Sequence, residues 1–262
     1  MNVDLDLAQR IEGAEAQYAG AYALACGGRT HSVAGGTAIF AGADSPFGKA
    51  VGLGLGKAVS SADLDAIEEV LGKPARIELS PFADASLARE LAAHAYVVVE
   101  WNHVLVGSVA RAIEGDGRRE LDDARDVSVR TVRPGEESIW ARVVNQGFTD
   151  RDDVSAEAIA MALPSTRAQK IRCVLAWQRE TVVGASAMGV HDGIASLFGS
   201  AVRVGARRRG VQRAFIRERL AFAREHACDL VTACTLPGTG SQRNLERWGL
   251  RVAYPKVLMQ RG

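Results

Sequence analysis

The sequence predicts an α/β protein built as two successive units of similar element order. Three observations carry this reading. A short apolar strand, a basic turn and a long helix follow one another between Ser196 and Ala227. Both halves read as strand, strand, helix, strand, helix, strand after a helical opening, the pattern of a duplicated unit. Between them, Glu114 to Asp126 (EGDGRRELDDARD) is charged and nearly free of apolar residues, which marks a linker between 1–113 and 127–262.

Taken in order, residues 4–26 place Leu5, Leu7, Ile11, Tyr18, Tyr22 and Leu24 among alanines and charges. They predict a helix ended by Gly27-Gly28. Thr30 to Ala41 reads as a strand or hairpin, and Asp44 to Gly48 as a turn. Ala50 to Val59 is a glycine-spaced strand. Ser60 is a good N-cap for a helix whose apolar face is Leu64, Ile67 and Leu71. A strand at 76–79, a helix at 85–93 and a long strand at 96–106 complete the first half. Gly52, Gly54 and Gly56 lack the spacing of a dinucleotide loop, and permit close packing or bulges instead.

In the second half, 127–132 reads as a strand. Pro134 opens a helix carrying Ile139, Trp140, Val143 and Val144, and 154–163 is a second helix. Strands at 171–178 and 181–190 lead to the strand that starts at Ser196. From Val211 the spacing becomes helical: Ala214 and Ala221, like Phe215 and Phe222, lie seven apart and share a face. Asp229 to Thr235 is a strand, SQRNLERWG a helix, and 250–259 a strand pair or one bent strand.

The turn before residue 211 is where chemistry enters. A helix start leaves backbone N–H groups without intrahelical partners and carries about half a positive charge. Arg207, Arg208, Arg209 and Arg213 surround it, and Gly210 has no side chain to hold a ligand off. Such a site favours phosphate or pyrophosphate.

Arg207-x-x-Gly210-x-Gln212, between a strand and a long helix, resembles the acetyl-CoA pyrophosphate loop of the GNAT N-acetyltransferases. Gln212 stands where that pattern has Gly or Ala. The later strand, Asn-bearing helix, Gly249-Leu250 step and final strand resemble the family's ending. The resemblance covers about 126–262 well and implies two tandem domains, each a mixed, mostly antiparallel twisted sheet flanked by helices, with a degenerate first copy. It implies transfer of an acetyl group from acetyl-CoA to an amine of a small molecule or protein. By position, Ser200, Ala201 and Val202 would meet the pantetheine arm, and Arg207, Arg208, Arg209, Gly210, Val211, Gln212, Arg213 and Ala214 the pyrophosphate. Ser241 and Asn244 would meet the cofactor's amide or thiol end, or else serve as an N-cap and a surface residue. The tyrosine many members carry before the Gly step is Leu245 here, so Tyr254 is the remaining candidate acid, or an ordinary strand aromatic. No general base is identifiable on the strand before the loop. A catalytically silent acyl-CoA sensor is the alternative.

A net charge of +1 over 262 residues argues against a dedicated nucleic-acid binder. No apolar run approaches a membrane span, and the acidic N-terminus lacks a signal core. Cys26, Cys173, Cys228 and Cys234 show no metal spacing and read as free thiols of a cytoplasmic protein. No metal is expected, and a monomer or homodimer is.

Overall fold

The computed structural model describes residues 3–42, 44–116 and 126–262. The chain forms two compact units that are not contiguous halves. The first comprises Met1–Leu105, Cys234–Gln242 and Val252–Gly262; the second comprises Val106–Ala233 and Arg243–Arg251. The first boundary therefore falls between Leu105 and Val106, ahead of the linker expected at 114–126, and the last strand joins the first unit. Residues 114–116 end a helix, and 117–125 of the expected linker lie outside the described residues.

The first unit opens with α1 (Leu5–Ala25), whose N-cap Asp4 accepts a 2.9 Å hydrogen bond from the Leu7 amide. Strands β1 (Arg29–Val33) and β2 (Gly36–Phe40) make the hairpin, followed by β3 (Lys49–Val51), α2 (Ser61–Leu71), β4 (Ala75–Leu79), α3 (Ala85–Ala93) and β5 (Val97–Ser108). The expected strand over 50–59 stops at Val51; Gly52, Gly54 and Gly56 all take positive φ and turn the chain. The core gathers Leu53, Leu64, Ile67, Ile77, Leu87 and Leu91 beneath the sheet. Strand order is β1-β2-β3-β4-β11-β5, with β3 parallel to β4. The C-terminal strand β11 (Arg251–Arg261) is one strand, not a pair. It runs antiparallel to β4 from Val257↔Leu79 to Arg261↔Ala75.

The second unit contains α4 (Val109–Asp116), β6 (Val127–Thr131), α5 (Glu137–Thr149), α6 (Ala156–Ala162), α7 (Pro164–Arg167), β7 (Ile171–Gln178), β8 (Thr181–His191) and β9 (Ile194–Val202). A 3-10 turn (Val204–Ala206), α8 (Val211–Glu225), β10 (Leu230–Thr235, in this unit as far as Ala233) and α9 (Gly240–Arg247, in this unit from Arg243) follow. Strand order is β10-β9-β8-β7-β6. All neighbours are antiparallel except β9 and β10. Phe215 of α8 packs with Val174, Ala176, Val183 and Val202, which fixes the helix against the sheet. No helix among the described residues is long and apolar enough to cross a membrane.

Candidate functional site: a split strand and an open helix start

Strand β9 is bulged. Its register to β8 shifts between Ala185↔Ala201 and Ala187↔Phe198, so Ser186 alone faces Gly199 and Ser200. Gly199 sits at φ +59°, a conformation that suits glycine and lets the extra residue fit. The pairing of β9 with β10 runs only from Leu230↔Ile194 to Ala233↔Leu197, while β9 continues to Val202. The five residues beyond Leu197 thus lie past the parallel ladder, where an extended ligand arm can take the place of a strand.

The bulge is braced from both faces. The Ser186 and Ser200 hydroxyls are 2.6 Å apart, and the indole of Trp140 donates to the Ser186 carbonyl at 3.0 Å. From α8, the buried Arg219 donates to the Ala187 carbonyl at 3.2 Å and to its own helix at Phe215, 3.1 Å. Burial pushes this guanidinium down to about 9, partly countered by the neighbouring Glu218. Neither Ser186 nor Arg219 stood out in the sequence. Arg219 was legible in retrospect: it lies four residues from both Phe215 and Ala223, on the apolar face of α8.

Beyond β9 the chain makes the 3-10 turn and enters α8 at Gly210, which is left-handed (φ 75°) and has no side-chain cap. Arg208 is also left-handed (φ 63°). The expected phosphate ligands divide here. Arg208 and Arg209 are exposed, and Gln212 and Arg213 half-buried. Ala201, Val202, Val211 and Ala214 are core side chains, so only their backbone can meet a ligand. Arg207 faces the other way. Its guanidinium holds Asp150 through both carboxylate oxygens, the Gly147 carbonyl at 3.0 Å and the Val202 carbonyl at 3.2 Å. These bonds draw the Asp150 carboxyl below its usual range. Arg207 therefore ties the end of α5 to the turn.

Ser241 is exposed in the first turn of α9, and Asn244 is half-buried, accepting from Arg247 at 2.9 Å. Leu245 is a core residue. Tyr254 lies in the first unit on β11, 3% exposed, edge-on to Phe82 at 5.3 Å. Its hydroxyl donates to Glu12 at 2.8 Å. Burial, then the Glu12 charge, raises its pKa far above that of a free phenol. A phenol that holds its proton this tightly, with its O–H already donating to a buried carboxylate, is poorly placed to protonate a thiolate.

The corresponding junction of the first unit, between β3 and α2, is closed. Gly54 donates to the Ala34 carbonyl at 2.9 Å and accepts from the Asp84 amide at 2.8 Å, and the Gln9 amide reaches the Leu55 carbonyl at 3.0 Å. Ser60 and Asp63 form a capping box: Asp63 accepts from the Ser60 amide at 2.9 Å, and Ser60 accepts from the Asp63 amide at 3.3 Å. Across the parallel pair, Lys49 of β3 bonds Glu78 of β4 at 2.5 Å and Glu15 of α1 at 2.7 Å. Lys256 of β11, 1% exposed, reaches Glu15 at 2.6 Å, Glu78 at 2.5 Å and Glu12 at 3.4 Å. Glu12, Glu15 and Glu78 are spaced to hold a cation, and the two ammonium groups occupy that role. Burial raises Glu15, but Lys256 and Lys49 outweigh it and leave the carboxyl well below its usual range. For Glu12 burial wins over Lys256 and its pKa rises.

No family model and no curated protein matches the chain. Solved structures do. The GCN5-related N-acetyltransferase from Kribbella flavida superposes with a TM-score of 0.67 at 18% identity, covering 97% of this chain and 95% of that one. A tandem GNAT protein from the clavulanic acid biosynthesis pathway gives 0.59 at 13% identity, over 86% and 78% of the two chains. The fold is that of the GNAT N-acetyltransferases. A GCN5-related N-acetyltransferase from Sphaerobacter thermophilus agrees, at a TM-score of 0.52 and 17% identity over 81% and 71%. The bulged β9, the parallel β9–β10 pair and α8 are thus parts of a GNAT-like second unit.

Proposed function

We propose that the chain is an acetyl-CoA-dependent N-acetyltransferase with one cofactor site, in the second unit. The observation that carries this is the uncapped start of α8 at Gly210, directly after a bulged strand that outruns its parallel partner. The backbone from Arg208 to Arg213, with Arg208, Arg209 and Arg213, would bind the pyrophosphate. The pantetheine arm would lie along Ser200 to Val202 and carry the thioester to the bulge. Alignment of amine and thioester then supplies much of the rate.

Transfer needs a neutral amine to attack the thioester carbonyl, a tetrahedral intermediate, and departure of the thiolate with a proton. With Leu245 in the core and the Tyr254 hydroxyl bonded to Glu12, the proton comes from water, or the thiolate leaves as the anion. This same observation supports the second reading, a silent acyl-CoA sensor. Release of CoA thiol from acetyl-CoA over a panel of amines, polyamines and peptide N-termini separates the two. The enzyme reading requires amine-dependent release; acetyl-CoA binding with no release from any amine favours the sensor.

A further inference from the structure

The second unit contains a cavity of about 810 Å3, of whose lining the acetyl-transfer reading uses Arg209 alone. It lies against the 3-10 turn, the end of α5 and the turn joining β7 to β8, on the side of β9 away from β10. None of the bulge residues lines it. Four arginines do: Arg151 after α5, Arg179 at the β7–β8 turn, and Arg203 and Arg209 on either side of the 3-10 turn. The three facing carboxylates do not balance them. Asp150 is taken by Arg207, which stands outside the lining, and Asp152 lies 3.6 Å from Arg203. Asp126 remains. Among the described residues, Arg151, Arg179 and Arg209 have no carboxylate partner.

We infer that this cavity binds a phosphorylated small molecule of about nucleotide size. Three guanidinium groups from three separate elements converge on one concave space, and their planar forks match phosphate oxygens two at a time. The volume suits a ligand of that size. Gln146, Gln178 and Thr181 add neutral hydrogen-bonding groups to the lining. Arg179 is held at φ 55° in the hairpin turn and Gln146 is buried, its amide bonded to the Asp152 carbonyl at 2.8 Å, so two sides of the cavity are preformed. The site shares only Arg209 with the cofactor loop proposed above, and stands on Arg151 and Arg179 without that reading. Arg209 borders both the cavity and the start of α8, which gives a ligand here a route to affect that loop.

The test is a titration of inorganic pyrophosphate into the whole chain, and into Arg151→Ala, Arg179→Ala and the double variant, at low and physiological salt. Both side chains are exposed, so their removal leaves the fold in place. Each single change should weaken pyrophosphate binding about tenfold, and the double change further, as expected for lost charge-assisted hydrogen bonds. CoA affinity should stay within about twofold in every variant if the sites are separate, since neither residue belongs to the α8 loop. No pyrophosphate binding by the wild type at low salt overturns the assignment. So does wild-type pyrophosphate affinity in the double variant, which would put the anion at α8. A matching loss of CoA affinity would make the cavity part of the cofactor's own seat, and also overturns it.

Discussion

The β3–α2 and β9–α8 junctions have the same topology: a strand, a glycine-bearing turn, a helix, and a parallel neighbour on the next strand. They differ in what meets the helix start. At α2, Ser60 and Asp63 satisfy the first amides and bring a negative charge to the positive end of the helix. At α8, Gly210 offers no cap and arginines surround the opening. The strand pairs differ likewise. Lys49, Lys256 and three glutamates seal β3, β4 and β11 together, whereas β9 outruns β10 and leaves backbone beyond the ladder. A GNAT-like unit can thus keep its fold while the groups that would take a cofactor are met from within. On the proposed reading, the cofactor site resides in these local differences, not in the architecture.

The largest effect should come from unsealing the first unit. Lys256→Ala leaves three buried glutamates, Glu12, Glu15 and Glu78, with Lys49 as their one ammonium partner in the cluster, and should cost about 3–5 kcal/mol of that unit's stability. Amide exchange along α1 against denaturant would read it. Protection unchanged by the substitution would mean that apolar packing alone holds β11 on β4. Next in size is Gly210→Val, which adds a β-branched side chain at φ 75° and blocks the approach to the backbone. In the folded variant, acetyl-CoA affinity should drop by about a hundredfold, of the order of two lost charge-assisted bonds; wild-type affinity by calorimetry would remove the loop from the site.

The pH dependence sharpens the contrast. Glu15 has a folded pKa below its free value near 4.3, so its contribution is present above that pH and lost as pH falls through the folded value. Lys49, raised above its free value near 10.4, contributes below that pH and is lost as pH rises through the folded value. Glu12, raised, runs opposite to Glu15, and its contribution fades as pH rises through its folded pKa. Because Glu15 is paired to two lysines, its limb should dominate in acid. The first unit should lose stability as pH is lowered past about 4, and this limb should shrink in Lys256→Ala. An acid limb of equal size in the variant would assign it elsewhere. The smallest effect is that of the cap: Ser60→Ala should cost about 1 kcal/mol and leave acetyl-CoA binding untouched, because the Gly54 loop is closed by its own backbone bonds.

The sequence reading succeeds where structure is local. Helical spacing after Val211, the Ser60 cap and the strand order around β7, β8 and β9 all depend on neighbours within a few residues. It fails where distant segments meet. β11 pairs with β4 across about 180 residues, and nothing in VAYPKVLM states which unit it joins. That pairing makes Tyr254, by sequence either a candidate acid or an ordinary strand aromatic, a partner of Glu12. Arg207 looked like a phosphate ligand by motif, yet Asp150, 57 positions earlier, holds it. The buried Lys–Glu cluster draws on α1, β3, β4 and β11, each contributing a charge that alone reads as surface.

The central claim is that one junction is open and the other closed. Calorimetric titration of acetyl-CoA into the intact chain tests it most directly. The account predicts one molecule bound per chain, with the α8 start and the residues of β9 beyond Leu197 protected from amide exchange on binding, and the Gly52–Gly56 turn unchanged. Two molecules per chain, or protection appearing at Gly52–Gly56 and not at α8, would contradict it.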